Sequence, residues 1–598
     1  MKIKINYLFL LIFTGSMLFS CGKSEKVKNE KVYVPEWAKG AVWYQVFPER
    51  FRNGSPTNDP TKEEIRLNDP RDWQMTPWTS DWFAMADWAK VRSDNFYDAV
   101  FDRRYGGDLI GVTEKLDYIA SLGITAIYFN PIFEAWSLHK YEAESYHHVD
   151  DNFGGDRDGD RKLMDNEKKH AESWAWSSAD SVFLDLIKEA HKRNIRVVID
   201  GVFNHVGRNF WAFKDVLKNQ KDSKYADWFI VHEWDDPNTP EDEMKYDSWW
   251  DTWHLVEFRE DENGLIEPVR KHIWAITKRW MDPNGDGNPE DGIDGWRLDV
   301  VPEVAMPFWA DWGAFVRELN PEAYIVGELW EESAHYISND KFHAVMNYPF
   351  ARAVVNFFID KKENKLSATE FSQKLDTLLQ VYPWDVMLGM QNLVDSHDTD
   401  RIASMIKNPD RQYDRNAGLR DNPDYDVTKP TEEEYKIQLM IAAFQGVFPG
   451  APMIYYGDEA GMWGGDDPDD RKPMVWPEFT YDDETYAAVG LKDVRHSVSF
   501  NHKIFAEYKT IFNLRKKHPA LKTGKYESIL VDDDLALFGL MRFEKDDLIY
   551  AYFNNSDKPQ TIKLPQEARS LSDVLGHSVM ATDSTIILKK KSAAILVK

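Results

Sequence analysis

Gly292-Ile293-Asp294-Gly295-Trp296-Arg297-Leu298-Asp299-Val300 has the apolar content of a buried strand, yet it carries an arginine and two aspartates. Charged side chains are costly to bury unless they are paired, so their presence in such a run needs a cause. Strand side chains alternate, which puts Arg297 and Asp299 on one face and Leu298 on the other. A guanidinium beside a carboxylate favours the ionised acid. An ionised, partly desolvated carboxylate at a strand end is a prepared nucleophile, although a structural ion pair would read the same way.

The surroundings of this stretch set the fold. Short apolar runs at Ala41–Phe47, Ile124–Asn130, Arg196–Gly201, Ile293–Val300, Tyr324–Glu328, Ala344–Asn347, Met387–Val394 and Pro452–Tyr456 alternate with helix-period segments. Ser181–Asn194 is one such segment, with Phe183, Leu184, Ile187 and Ala190 at helical spacing. Repeated β-then-α units imply a parallel sheet, and eight of them predict an α/β fold, a (β/α)8 TIM barrel. No glycine-rich phosphate loop follows the first strand, which disfavours a doubly wound sheet. Trp136–Asp180 and Gly207–Glu267 interrupt the alternation, and the second is expected to be a small domain inserted after the third strand. From about Gly524 the pattern changes to short strands with Asp and Asn turns, which predicts a C-terminal antiparallel β-sandwich domain. The expected organisation is a leader over 1–20, a tether over 21–35, a barrel over 36–522 and the all-β domain over 523–598.

Composition excludes some functions. Of 598 residues, 29% are charged and the formal net charge is −28. This acidity argues against nucleic acid and anionic membrane surfaces as partners. The 24 tryptophans serve either core packing or flat platforms for sugar faces. Lys2 and Lys4 precede an apolar run from Tyr7 to Phe19, the pattern of a secretory leader. Cys21, the one cysteine of the chain, follows Leu18-Phe19-Ser20 and resembles the lipidated cysteine of a bacterial lipoprotein. The expected location is therefore an exported protein held to a membrane through Cys21.

In a TIM barrel, chemistry sits where strands run into the βα-loops. Arg196–Gly201 runs into DGVFNH with Asp200, Asn204 and His205, and Tyr324–Glu328 runs into GELW with Trp330. Met387–Val394 runs into DSHDTDR with Asp395, His397, Asp398 and Arg401. With Asp299, four strand ends thus deliver acids and histidines to one rim.

These segments resemble the four signature regions of the α-amylase family of glycoside hydrolases. YQVFPERFRNGSPTNDP, YGGDL, HKYEAESY and IYYGDEAGM are similar to its neopullulanase and cyclomaltodextrinase branch. The resemblance implies a retaining glycosidase acting on internal α-1,4-glucosidic bonds of starch-like glucans. Asp299 would be its nucleophile, Glu328 its acid/base and Asp398 a third acid stabilising an oxocarbenium-like transition state. It further implies that His139, Tyr141, His205, Arg297, Trp330 and His397 serve the substrate site, with Asp200 structural. Asn53, Asn58, Asp59, Gly106 and Asp108 match a structural calcium site of the branch, with Ser55 where an aspartate is usual. Two more Asp-rich stretches, 156–167 and 282–288, have calcium-loop spacing; the first has an EF-hand-like pattern at Asp156, Asp158, Asp160 and Glu167.

The sequence departs from the branch at Pro302-Glu303, where an Asn–Glu pair is usual, and at WHLVEF, 253–258. The barrel follows the tether directly, without the N-terminal β-domain through which relatives of the branch pair, so a monomer is expected. A transglycosylase or isomerase would need the same residues and differ only in its acceptor. A non-catalytic glucan-binding barrel would be expected to lack one of the three acids, and all three are present.

Overall fold

The computed structural model describes residues 31–65, 72–236, 238–240 and 242–598; the expected leader, Cys21 and most of the tether lie outside the described residues. Eight parallel strands form one sheet: β1 (Trp43–Val46), β2 (Ala126–Phe129), β3 (Arg196–Gly201), β4 (Gly295–Leu298), β5 (Tyr324–Gly327), β6 (Ala344–Val345), β7 (Gln391–Asn392) and β8 (Ala451–Tyr455). They pair in the order β6-β5-β4-β3-β2-β1-β8-β7, and a parallel bridge from Met346 to Gln391 closes the ring. This is the TIM barrel that the alternation predicts. Its strands are apolar on both faces because one face fills the barrel and the other meets helices. In β4, Trp296 packs outward against Trp312 while Arg297 is held inside by its contacts with β3.

The helix after β2 begins at Ser178, three residues before the apolar period suggests. Its start is set by a capping box: the Ser177 hydroxyl accepts from Asp180 N and the Asp180 carboxylate accepts from Ser177 N. The run Met387–Val394 is not one strand. Trp384–Gly389 is helical, with Val386, Met387 and Leu388 buried, and only Gln391–Asn392 enters the barrel. A short apolar run cannot by itself separate a buried helical turn from a strand.

The excursion after β2 contains a strand, Ser145–Val149, and a helix, Arg157–Asn166. The one after β3 returns as a hairpin in which His205–Gly207 pairs with Leu255–Glu257. At the C-terminus, β9 (Lys525–Asp532), β10 (Leu537–Glu544), β11 (Asp547–Asn554), β12 (Gln560–Lys563), β13 (Ser572–Asp573), β14 (Ser578–Thr582), β15 (Thr585–Leu588) and β16 (Ser592–Val597) form two antiparallel sheets. Their orders are β9-β10-β11-β16-β13 and β12-β15-β14. The alternation along β10 shows how the sandwich is attached. Leu537 faces the inner core with Ile562 and Leu588, whereas Phe538 faces the barrel and meets Phe444 of the helix Glu432–Val447.

Candidate active site

The register of β3, β4 and β5 builds the site. Arg297 lies level with Asp200 and Val326, and Leu298 level with Gly201 and Gly327, so Asp299 and Glu328 leave adjacent strands at one height. Arg297 is fully buried. Its Nη1 donates to Asp200 Oδ1 and Oδ2 at 3.0 Å and to Asp299 Oδ1 at 2.8 Å, while Nη2 lies 3.1 Å from Glu328 Oε2. One cation therefore serves three acids. Burial and the Glu328 carboxyl push Asp299 well above the usual carboxylate range, and the opposing pull of Arg297 does not outweigh them. Arg297 does lower Asp299, as its place beside the carboxylate implies, and burial with two further carboxyls opposes it. Three carboxyls around one guanidinium in a dry site titrate as a coupled set.

Val300, next to Asp299, has φ 37° and ψ 49°. A β-branched residue in the left-handed region is strained, and such strain gathers where backbone direction matters. Here it turns Val300 N toward Glu328 Oε2, to which it donates at 3.0 Å. Trp330 Nε1 donates to the other carboxyl oxygen, Oε1, at 3.2 Å, and its indole stacks on Tyr348 at 3.8 Å. Both oxygens of Glu328 are thus oriented from within the protein.

His397 and Asp398 follow β7. Gln45 Nε2 donates to His397 Nδ1 at 2.8 Å, which leaves the proton on Nε2. That nitrogen lies 2.6 Å from the Tyr141 hydroxyl and 3.1 Å from Asp398 Oδ1. Burial and the neighbouring arginines hold His397 neutral. Tyr141 also donates to Asp200 Oδ2 at 3.0 Å and lies parallel to the His397 ring. Asp398 is pushed up to about 7 by burial and by Glu328, with Arg471 opposing at 3.5 Å. His139 Nδ1 accepts from Tyr141 N. His205 is buried and pushed down to about 3 by burial, and among the described residues its Nε2 has no protein partner. The structure thus gathers Asp299, Glu328, Asp398, Arg297, Tyr141, His397 and Trp330 into one network, with His139 and His205 at its edge. Asp200 joins it as a brace for Arg297, Tyr128 and Tyr141.

Several members were not singled out in the sequence. Gln45 stands inside the YQVFPERF motif and sets the His397 tautomer. Arg471 donates to His397 O at 2.8 Å as well as facing Asp398. Trp249 stacks on His205 and Trp250 stacks on Trp249, at ring separations of 5.6 and 5.0 Å. Trp250 is 79% exposed with φ 50°, and Asp251 follows at φ 56°. The doubled tryptophan was legible; its strained, outward pose was not.

The calcium candidates fare differently. Asp108 Oδ2 accepts from Gly54 N, Ser55 N and Asn58 Nδ2, and Asn53 Nδ2 donates to Asp59 Oδ1 at 2.6 Å. Asn58 Oδ1 is buried without a protein partner among the described residues. Gly106 has φ 74°, and a Cβ there would come within 2.4 Å of Asp59 Oδ1 and 2.7 Å of Asn53 Nδ2. An orphaned amide oxygen on Asn58, an oxygen-rich donor set and a cradle that admits only glycine fit a hard cation, although both oxygens of Asp108 already accept from protein donors. The EF-hand-like stretch does not. Residues 157–166 are helical, Asp156 caps that helix, Asp160 accepts from Ser178 N and Ala179 N, and Glu167 faces two histidines. In 282–288, Asp282 and Asn284 accept from backbone amides of their own turn.

The catalytic domain of α-amylase matches residues 45–171 and 179–524. The chain is 32% identical over 576 residues to neopullulanase 2 of Thermoactinomyces vulgaris, covering 94% of this chain and 80% of that protein. It is 34% identical over 529 residues to a Bacillus cyclomaltodextrinase, covering 88% and 75%. Among solved structures, the cyclic α-maltosyl-(1→6)-maltose hydrolase of Arthrobacter globiformis superposes with a TM-score of 0.68 at 26% identity, covering 95% of this chain and all of that one. The Nostoc punctiforme debranching enzyme gives 0.66 at 29%, with the same coverage. The chain belongs to the α-amylase family of glycoside hydrolases. Within that family it is an α-glucan hydrolase of the neopullulanase and cyclomaltodextrinase type.

Proposed function

We propose that this enzyme cleaves internal α-1,4-glucosidic bonds with retention of configuration. The observation that carries the reading is the shared guanidinium: Arg297 holds Asp299 through one terminal nitrogen and Glu328 through the other. A single guanidinium bridging both carboxyls holds them close together, as a retaining mechanism with carboxyls about 5 Å apart requires. Asp299 attacks the anomeric carbon as Glu328 protonates the departing glycosidic oxygen, giving a glycosyl-enzyme ester and a free glucan end. Glu328 then takes a proton from the water that displaces Asp299 from the anomeric carbon, which regenerates the Glu328 acid and the Asp299 carboxylate. Asp398 stabilises positive charge on the ring, and His139, Tyr141, His205 and His397 bind the same sugar. Trp330 bounds the leaving side. The test is a product analysis on soluble starch and pullulan in parallel. Panose from pullulan is the expected product; maltooligosaccharides from starch with pullulan untouched would mean a plain α-amylase. Transfer products without hydrolysis would overturn the reading in favour of a transglycosylase.

The stacked series His205, Trp249, Trp250 extends from this site to solvent, and Trp250 presents a flat face for a glucan chain. An aromatic stack contributes roughly 0.5–1.5 kcal/mol, so Trp250→Ala should raise KM about two- to tenfold on long maltooligosaccharides. KM for maltotriose should not change; an equal rise for both would remove Trp250 from the binding surface.

Calcium at Asn53, Asn58, Asp59, Gly106 and Asp108 would tie the first barrel loop to the segment before the next helix. Burial pushes Asp108 from its ordinary 3.8 up to about 6. Without an ion, the folded state therefore binds the extra proton and loses stability as pH rises between those values. Calcium displaces that proton, so its stabilising effect is present above about pH 6 and disappears below it. At 100 times Kd it amounts to about 2.7 kcal/mol. Unfolding titrations with and without chelator at pH 5 and 7.5 test this; equal shifts at both would dismiss Asp108 as a ligand. Anchoring through Cys21 is part of the same proposal, and loss of lipid labelling in Cys21→Ala tests it.

A further inference from the structure

We propose that His147, His148 and Glu167, none of them part of the network around Arg297, form a second metal site, selective for a late first-row divalent cation such as Zn2+. Neighbours along a strand normally face opposite ways. Yet His147 Nε2 and His148 Nε2, both in Ser145–Val149, lie 2.9 and 3.1 Å from one atom, Glu167 Oε2. All three side chains are almost fully buried.

The other nitrogen of each ring is fixed as well. His147 Nδ1 lies 3.0 Å from Ser145 Oγ, and His148 Nδ1 lies 2.8 Å from Asp180 Oδ2. Asp180 is itself held by Val149 N, Ser177 N and Arg279. Glu167 Oε1 accepts from Ala175 N at 2.7 Å. A carboxylate behind a histidine, with its partners locked in turn, is how proteins orient metal-binding imidazoles.

With a metal at the convergence point both rings are neutral, Nδ1–H of His148 donates to Asp180, and both Nε2 lone pairs meet the ion. His147 is stacked under Trp174 at 4.1 Å, which fixes its ring plane. Two imidazoles and a carboxylate suit Zn2+, whereas Ca2+ prefers oxygen alone. His148 also borders a cavity of about 410 Å³ lined in part by Glu134, Asp150 and Lys169. The ion would staple Ser145–Val149 to the segment leading into the helix Ser178–Lys192.

The test uses the full chain without a polyhistidine tag, stripped with chelator and titrated with ZnCl2 in excess CaCl2. One equivalent is expected to bind, and Co2+ in its place should give the visible d–d bands of a nitrogen–oxygen site. Glu167→Gln, which preserves shape, should weaken zinc about 100-fold or more, with His148→Asn similar. No zinc uptake by the unmodified chain would overturn the proposal, as would equal uptake by Glu167→Gln. The cobalt spectrum of the unmodified chain decides the matter even if the histidine variant does not fold; absence of bands overturns the site.

Discussion

Asp299→Asn lowers kcat on maltooligosaccharides by about 10⁴-fold or more and leaves the Kd for maltoheptaose within about threefold. The amide keeps the shape of the carboxylate and can still accept from Arg297, so the strand end and its neighbours stay in place. It cannot form the glycosyl ester. Glu328→Gln lowers activity comparably on natural glucans, but the two variants part on a substrate whose leaving group needs no proton. There Glu328→Gln still forms the intermediate and releases one burst of leaving group, while Asp299→Asn remains silent. A burst from Asp299→Asn would reverse the assigned roles, and near-normal turnover would dismiss both.

How much of this was readable beforehand differs by residue. The eight strands and the rim positions of Asp299, Glu328 and Asp398 followed from local signals: apolar period, and an acid just past a strand. Those signals survive because barrel strands are continuous in sequence and their ends share one rim. What joins distant segments was not readable. Gln45 on β1 fixes the His397 tautomer across 352 positions, and Arg471 reaches Asp398 across 73. Neither carries a local pattern. The EF-hand-like stretch failed for a related reason. Spacing of acids along a chain predicts convergence only if the backbone forms the loop, and here Asp156 caps a helix that spreads the others apart. Glu167, the last of that set, turned toward His147 and His148 instead. Arg297 and Asp299 were paired correctly from alternation alone, but the count of acids around Arg297 required β3 and β5 to be aligned beside β4.

That count leads to a large stability effect. Arg297→Met should destabilise the fold by about 3–5 kcal/mol at pH 8, because Asp200, Asp299 and Glu328 would stay buried with no cation between them. The loss should shrink as pH falls. Burial already raises Asp200 and Asp299, and removal of the guanidinium takes away the main charge opposing that rise. The variant's folded state then binds more protons than its unfolded state, so its stability falls as pH rises and recovers as the acids protonate. Adding Asp200→Asn to Arg297→Met should return part of the loss, since one fewer buried charge is stranded, whereas Asp200→Asn alone should be mildly destabilising. Denaturant midpoints of the four proteins at pH 5 and 8 measure all three terms. Additive losses would mean that Arg297 acts by packing, and a loss independent of pH would mean that the acids around it are neutral already. Coupling that grows with pH would establish that its charge holds the three carboxyls together, the condition under which a nucleophile and an acid can share one buried rim.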